Sequence, residues 1–180
     1  MGKRMKLFVK KLALRLIRNF ISQLDDETLY NYGRLNPFYE NLSDWKQRGN
    51  KWNGSNNITI YNSTTIVGDV LIGEHTWVGP FCSLDGSGGL KIGEYCSVSA
   101  SVHILTHDTV DWATSGGQKP YRYAQTAIGD NCFIGTGSII LPGVTLGKKC
   151  VVGAGSVVNC SFPDGCRIAG VPARPIDPQK

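Results

Sequence analysis

The chain has 180 residues, a net charge of +5 and 41% apolar residues, enough for one domain with a packed core and a short extension. Its charge is concentrated at one end, where the basic residues that precede the first acid are Lys3, Arg4, Lys6, Lys10, Lys11, Arg15 and Arg18. The rest of the chain is close to neutral. No basic face carries the base-stacking aromatic residues of a known module, so we expect no nucleic-acid partner.

Residues 3–24 predict one amphipathic helix, with basic residues opposite an apolar face that recurs at steps of three and four: Met5, Phe8, Val9, Leu12, Leu16, Phe20 and Leu24. Two interpretations stay open. The helix packs on the protein or a neighbouring subunit, or residues 3–24 make a peripheral contact with anionic lipid. No run is long enough to span a bilayer and no signal-peptide pattern is present. We therefore expect a cytoplasmic protein, with this helix as the candidate contact with the inner face of the membrane.

Residues 25–57 complete an N-terminal extension over residues 1–57. The acids at Asp25 and Asp26 suggest the start of a second helix, and Pro37 would break it. The segment is rich in aromatic residues, and we expect it to cover the first turn of the structure that follows.

A six-residue repeat dominates the rest of the chain. From Ile128 onwards an aliphatic residue stands at every sixth position, and a compact residue follows four places later: Cys132, Ser138, Val144, Cys150 and Ser156. Such a fixed repeat predicts a coil in which each turn needs a neighbour to bury its aliphatic side chains. Hexads also begin at Ile60, slip by two residues at D-G-S-G-G, and stop after Ile104 before resuming, which gives fifteen hexads or about five turns.

The expected organisation is therefore a coil over residues 58–162 with a long excursion loop at 108–121. Such insertions on a rigid scaffold are commonly functional. Residues 163–180 form a tail that caps the coil, and its four prolines argue against a further regular strand.

The hexads resemble those of the hexapeptide-repeat acyltransferases. The stretch S-A-S-V-H-I-L-T-H-D, followed by a loop and then T-A-I-G-D-N-C-F-I-G, is similar to the maltose, galactoside and polysaccharide O-acetyltransferases of that superfamily. The resemblance implies a mainly β protein, a left-handed parallel β-helix. It also implies a homotrimer with active sites between subunits, and His107 as the catalytic base.

The chemistry calls for such a base, because an acceptor hydroxyl must lose its proton as it attacks a thioester, and a neutral imidazole accepts protons near neutral pH. A second residue must orient the imidazole, and Asp85 and Asp108 are both candidates. The candidates for contact with the substrate are Asp85, His103, Asp108, Trp112, Tyr121 and Tyr123.

The resemblance further implies acetyl-CoA as the acyl donor and no metal. The matching positions are Thr136 and Gly137 in I-G-T-G-S, Ala154 and Gly155 in V-G-A-G-S, and Arg174 in the tail G-V-P-A-R. Small residues at a corner let a ligand approach the backbone.

The acceptor stays open. The first candidate for the acceptor is a carbohydrate hydroxyl in surface-polysaccharide or lipopolysaccharide assembly. An amino-sugar nucleotide and an antibiotic are the next candidates. A trimeric zinc lyase of the carbonic anhydrase kind is an alternative from another class, and it needs three converging His residues. The three His of this chain are His75, His103 and His107. A catalytically idle scaffold is a third alternative.

Overall fold

The computed structural model describes residues 3–53 and 57–176, and the predicted extension and tail also include residues 1–2, 54–56 and 177–180, which lie outside that range. The chain forms two compact units, Met1–Asp44 and Trp45–Lys180. The helices are α1 (Lys3–Tyr32), α2 (Trp45–Asn53) and α3 (Val110–Thr114), with a 3-10 turn at Phe38–Asn41. The strands are β1 (Thr59–Ile60), β2 (Thr65–Ile72), β3 (Trp77–Val78), β4 (Ser83–Ile92), β5 (Ser97–Val98), β6 (His103–Ile104), β7 (His107–Asp108), β8 (Arg122–Tyr123), β9 (Thr126–Ile128), β10 (Phe133–Ile134), β11 (Ile139–Ile140), β12 (Thr145–Leu146), β13 (Val151–Val152), β14 (Val157–Val158), β15 (Arg167–Gly170) and β16 (Ala173–Pro175).

The first unit contains α1, which is longer than the predicted helix. The chain continues as one helix through Asp25 and Asp26, so the prediction of a second helix start there is wrong. The helix ends at Tyr32, and the next residue is Gly33, whose φ of +63° suits glycine and whose N–H donates to the Leu29 carbonyl at 2.9 Å. Among the residues that the structure describes, no helix is both long and apolar enough to cross a bilayer.

The second unit is a parallel β-helix, and this fold class is confirmed. Its first sheet has the order β1-β3-β5-β10-β13-β15-β16 and its second the order β12-β9-β4-β6-β11-β14, with β2 paired to β4. Strand pairing follows the repeat, so that Phe133 lies opposite Val151 and Ile134 opposite Val152. The buried aliphatic residues therefore stack in columns, and each contributes roughly 1.5–3 kcal/mol by leaving water.

Six strands of the first sheet follow one another in parallel, so the coil has about six turns where the hexads predict about five. The extra turn comes from β15, which pairs with β13, and β16 then folds back antiparallel to β15. The expectation of no further strand in the tail is wrong, because β15 lies before Pro172 and β16 is an edge strand whose Pro175 is its last residue.

The helix α2 covers the first turn of the coil, as expected of this aromatic segment. Trp45 stacks on Tyr61 with ring centroids 3.8 Å apart. The Arg48 guanidinium donates to the carbonyls of Asn62 and Thr64 at 2.7 and 2.6 Å, and the Trp52 indole donates to the Val70 carbonyl at 2.8 Å. These side chains satisfy backbone carbonyls that no further turn of the coil could reach.

The compact inward residues of the repeat point into the core as predicted. The buried cysteines Cys82, Cys96, Cys132 and Cys150 are free thiols, and Cys96 Sγ lies 3.1 Å from the Gly129 carbonyl of the next turn. Inward hydroxyl groups also hydrogen bond to backbone carbonyls, so the compact inward position of the repeat links successive turns of the coil.

Candidate active site

The excursion leaves the coil beside a carboxylate and an imidazole that contact each other. Asp85 Oδ2 lies 2.7 Å from His107 Nδ1. The Asp85 side chain is 10% exposed, whereas that of His107 is 36% exposed. The pair therefore combines a shielded carboxylate with an imidazole that small molecules can reach.

Three further donors surround the Asp85 carboxylate. The Thr106 N–H and hydroxyl donate to Oδ2 at 2.9 and 3.1 Å, and the Ser87 N–H donates to Oδ1 at 2.9 Å. Burial raises the pKa of Asp85, but the hydrogen bonds from Ser87, Thr106 and His107 outweigh it and hold the pKa well below its usual range. Asp85 is therefore ionised at any pH near neutrality and can only accept hydrogen bonds.

This arrangement depends on the slip in the repeat at D-G-S-G-G. Instead of turning at the usual place, β4 runs through the slip, and its register with β2 shifts between Gly68 and Val70. The slip brings the Gly88 N–H to 2.8 Å from the Thr106 hydroxyl oxygen. A Cβ at Gly88 would clash with the Thr106 carbonyl, so the close approach requires glycine.

The ionised carboxylate also fixes the tautomer of His107. Because Asp85 can only accept, His107 Nδ1 must carry the proton of their hydrogen bond. In the neutral imidazole the lone pair is then on Nε2. None of the described residues hydrogen bonds to Nε2, so this lone pair can accept a hydrogen bond from a bound molecule.

The excursion is more ordered than the predicted loop at 108–121. Its ends pair as the antiparallel strands β7 and β8, with His107 opposite Tyr123 and Asp108 opposite Arg122, and it contains the short helix α3. The His107 and Tyr123 rings stack with centroids 5.8 Å apart. The Asp108 carboxylate lies 3.1 Å from Arg122 Nε and so closes the base of the excursion.

Trp112 and Tyr121 lie elsewhere in the excursion. Their rings meet edge to face with centroids 5.6 Å apart, and both side chains are exposed. His103 is exposed on β6, beside Ser83 and Ile139 in the second sheet. The structure thus brings Asp85 and Tyr123 to His107 directly, while Asp108 bonds to Arg122.

The predicted CoA positions form one corner of the coil. The Gly155 N–H donates to the Thr136 carbonyl at 2.8 Å, which places Ala154 and Gly155 one turn beyond Thr136 and Gly137. All four are exposed, and a Cβ built on Gly137 or Gly155 would meet nothing within 4 Å. Arg174 is exposed on β16, with Nη1 2.7 Å from the Ala173 carbonyl.

Sequence reasoning missed Thr106 and Ser87, which hold Asp85. The available signal was the slip itself, which places Asp85 and Ser87 together, and the Thr that directly precedes His107. Within the described residues, no group of three or more His, Cys, Asp or Glu has the arrangement of a metal site.

Comparison with known families supports the reading of the repeat. Residues 125–160 match the family described as the hexapeptide repeat of succinyl-transferase. The matched repeat is that of the superfamily that the resemblance implied. Protein CapG of Staphylococcus aureus is 43% identical to this chain over 91 residues, covering 48% of this chain and 51% of CapG. The match thus spans about half the length of this curated relative.

Solved structures of acyltransferases share the fold. A variant of AntD, an N-acyltransferase from Bacillus cereus bound to dTDP-4-amino-4,6-dideoxyglucose and coenzyme A, superposes with a TM-score of 0.62 at 25% identity, covering 70% of this chain and 72% of AntD. The hexapeptide-repeat acetyltransferase VCA0836 from Vibrio cholerae, bound to acetyl coenzyme A, gives a TM-score of 0.55 at 27% identity, covering 69% and 64%.

Proposed function

We propose that this protein is an acetyl-CoA-dependent acetyltransferase that acts on a carbohydrate acceptor, with His107 as the general base. The observation that carries the proposal is the 2.7 Å contact between His107 Nδ1 and a buried, ionised Asp85, since it leaves Nε2 free to accept a proton. A base of this kind contributes roughly 10²- to 10⁴-fold to the rate.

The mechanism follows from this geometry. His107 Nε2 takes the proton from the acceptor hydroxyl as its oxygen attacks the thioester carbonyl, and Asp85 stabilises the imidazolium that forms. The C–S bond then breaks, and the imidazolium donates its proton to the CoA sulfur. The products are the CoA thiol and the acceptor, which carries the acetyl group as an ester. Backbone N–H groups of the coil are the candidate donors to the oxyanion.

Acetyl-CoA as the donor is supported by the coenzymes bound in AntD and VCA0836 and by the open corner of Thr136, Gly137, Ala154 and Gly155. Arg174 is the candidate contact with the phosphates or the adenine of the coenzyme.

Replacing Ala154 with phenylalanine should raise the KM for acetyl-CoA at least about 10-fold, because the ring would occupy the space at this corner. Steady-state kinetics at saturating acceptor measure the effect. Thr145→Phe is the control, since Thr145 is exposed on β12 in the other sheet. Equal KM values for the two variants would count against this corner as the coenzyme site.

The leading acceptor reaction is O-acetylation of a sugar in surface-polysaccharide or lipopolysaccharide assembly. Tyr123 beside His107, and the exposed Trp112 and Tyr121, can stack on sugar faces. N-acetylation of an amino-sugar nucleotide is the second candidate, favoured by the dTDP-amino sugar bound in AntD.

A screen of acceptors with a thiol-release assay tests the activity. The panel should hold polysaccharide repeat units, free sugars and amino-sugar nucleotides, each with acetyl-CoA. We expect thiol release that depends on the acceptor for one of the carbohydrate classes. CoA binding without turnover on any acceptor would instead support an idle scaffold.

We also propose that the protein is a homotrimer with its sites between subunits, as the resemblance implies. The excursion supports this proposal, because Trp112, Tyr121 and Tyr123 are 43%, 42% and 55% exposed in the single chain and are available to a neighbouring subunit. Light scattering on the purified protein measures the assembled mass.

We further propose that α1 attaches this cytoplasmic protein to the inner face of the membrane. Its apolar side chains are exposed, including Phe8 at 66% and Leu16 at 61%. The exposed residues Lys11, Arg15 and Arg18 recur at steps of four and three, and no acid precedes Asp25. An apolar face with an unbroken positive charge complements an anionic lipid surface better than it complements another copy of the same basic helix.

Reversing three charges of α1 with Lys11→Glu, Arg15→Glu and Arg18→Glu should weaken binding to vesicles containing phosphatidylglycerol by roughly 100-fold or more, at about 1 kcal/mol per basic residue. Co-sedimentation of the full chain measures this. The control reverses the exposed Lys51, Lys91 and Lys119 and has the same net charge. Equal binding by both triple variants would contradict lipid contact, and absence of wild-type binding would favour packing of the helix within the assembly.

A further inference from the structure

The hydroxyl of Thr106 differs from the other buried hydroxyls that point into the coil. Those of Thr64, Thr76 and Thr126 donate to backbone carbonyls, of Gly79, Gly93 and Leu105, at 2.6, 2.8 and 2.7 Å. These bonds join one part of the coil to another. Thr106 is equally buried, at 0% exposure, but its hydroxyl donates to a carboxylate, that of Asp85.

The direction of the hydrogen bonds around Thr106 is fixed by chemistry. The Gly88 N–H can only donate, so at 2.8 Å the Thr106 oxygen accepts from it. The hydroxyl proton is then directed to Asp85 Oδ2 at 3.1 Å. The same oxygen receives Nδ1–H of His107 at 2.7 Å, so a chain of bonds runs from Gly88 through Thr106 and Asp85 to His107.

We propose that Thr106 is a positioning residue for the catalytic base, whose hydroxyl holds the Asp85 carboxylate in the rotamer that orients His107. This inference rests on the proposed function and deepens it. A carboxylate has a broad torsion at its last bond, so its plane is set by its donors. Ser87 holds one oxygen, and Thr106 gives the other oxygen two bonds, one from its backbone and one from its side chain.

The Thr106 hydroxyl also fixes the position of Asp85 Oδ2 relative to His107. With the Thr106 bonds in place, Oδ2 lies where Nδ1 of His107 reaches it, and Nε2 then faces away from the carboxylate. Without the hydroxyl, the Gly88 N–H loses its acceptor and Asp85 Oδ2 loses one of the donors that it has besides His107. His107 would then spend less time in the orientation that accepts a proton from substrate, and kcat would fall without a change in coenzyme affinity.

The test compares Thr106→Val, Thr106→Ser and Thr76→Val in the full-length protein with acetyl-CoA and the best acceptor of the screen. Valine keeps the shape of threonine and removes the hydroxyl, whereas serine keeps the hydroxyl. Thr76 is the matched control because it is 1% exposed and directly precedes β3 of the first sheet. Its hydroxyl has the same number of hydrogen bonds as that of Thr106: it accepts one from the Cys96 N–H at 3.0 Å and donates one.

We expect Thr106→Val to lower kcat by roughly 10- to 100-fold, the size expected for a lost hydrogen bond to a charged group, with the KM for acetyl-CoA unchanged. Thr106→Ser should keep kcat within about 3-fold of the wild type. Thr76→Val should lower the melting temperature by a similar amount to Thr106→Val and leave kcat unchanged.

Two outcomes would overturn the inference. One is a Thr106→Val enzyme with wild-type kcat, and the other is an equal loss of kcat in Thr106→Val and Thr76→Val, which would show a general effect of destabilising the coil. Failure of the proposed function is distinguishable, because the wild type would then show no acceptor-dependent thiol release, or His107→Ala would be as active as the wild type, whatever Thr106→Val does.

Discussion

Replacing His107 with alanine should lower kcat for acetyl transfer by roughly 10²- to 10⁴-fold, the contribution expected of a general base. The reason is that Nε2 of this imidazole is the atom that Asp85 leaves free to take the acceptor proton. The affinity for CoA should stay within about 3-fold of the wild type, because the corner proposed for the coenzyme lies on other turns of the coil. Stopped assays of acetyl transfer and calorimetric titration with CoA measure the two effects.

A matched control for this variant is His75→Asn. His75 is an exposed corner residue that stacks on Tyr95 and has a φ of +59°, a conformation that asparagine tolerates. We expect this change to leave kcat unaltered. A His107→Ala enzyme as active as the His75→Asn enzyme would refute the role assigned to His107.

Replacing Asp85 with asparagine should lower kcat by about 10³-fold, because the variant loses the charge that stabilises the imidazolium. The asparagine amide also cannot accept from all the hydrogen-bond donors that surround the Asp85 carboxylate. Its oxygen can face Thr106 and His107, but its NH₂ group then faces the Ser87 N–H, and the opposite orientation sets NH₂ against Thr106 and His107. The measurement is kcat as a function of pH for the wild type and the variant.

The pH dependence has a defined sign. The pKa of Asp85 is lowered in the folded protein, so its contribution to stability is present above the usual aspartate range and is lost only as pH falls through the lowered value. Loss of activity on mild acidification would therefore not reflect protonation of Asp85. Asp85→Asn should lower the plateau of kcat rather than only shift the acid limb.

The comparison that isolates Asp85 is Asp108→Asn. Asp108 is the neighbour of His107 in the chain, but it bonds to Arg122 across the base of the excursion. We expect Asp108→Asn to reduce kcat less than about 10-fold, through a looser excursion. A larger loss in Asp108→Asn than in Asp85→Asn would contradict the assignment of Asp85 as the residue that orients His107.

The β-helix could be predicted from the sequence because burial repeats with it. An aliphatic side chain at every sixth position has one environment in which all copies are buried, and the columns that contain Ile134 and Val152 show it. The structure of the tail was harder to predict, because its prolines argue against strands. The positions of Pro172 and Pro175 matter more than their number, and both leave the pairing of β15 with β13 intact.

The N-terminal helix shows the limit of capping signals. Asp25 and Asp26 have the composition of a helix start, yet α1 passes through them, because nothing in that stretch breaks a helix before Gly33. Acidic residues favour the first turn of a helix, but they do not end the helix that precedes them.

The sequence predicted two candidate carboxylates for the residue that orients His107, but it could not decide between them. Asp108 directly follows His107 in the sequence and Asp85 lies 22 residues before it, and only the path of β4 through the slip brings the more distant residue to His107. Thr106 follows Ile104 by two residues and not four, so the repeat does not single it out as a compact inward residue. Its different role appears only when the acceptor of its hydroxyl is known.

The most direct test of acetyl transfer is mass spectrometry of the acceptor after incubation with acetyl-CoA and the wild-type protein or His107→Ala. The wild type should add one acetyl group to a carbohydrate acceptor for each CoA thiol released, and the variant should add almost none in the same time. An acceptor that stays unmodified across the whole panel while the protein binds CoA, or an equal yield from both proteins, would contradict the account.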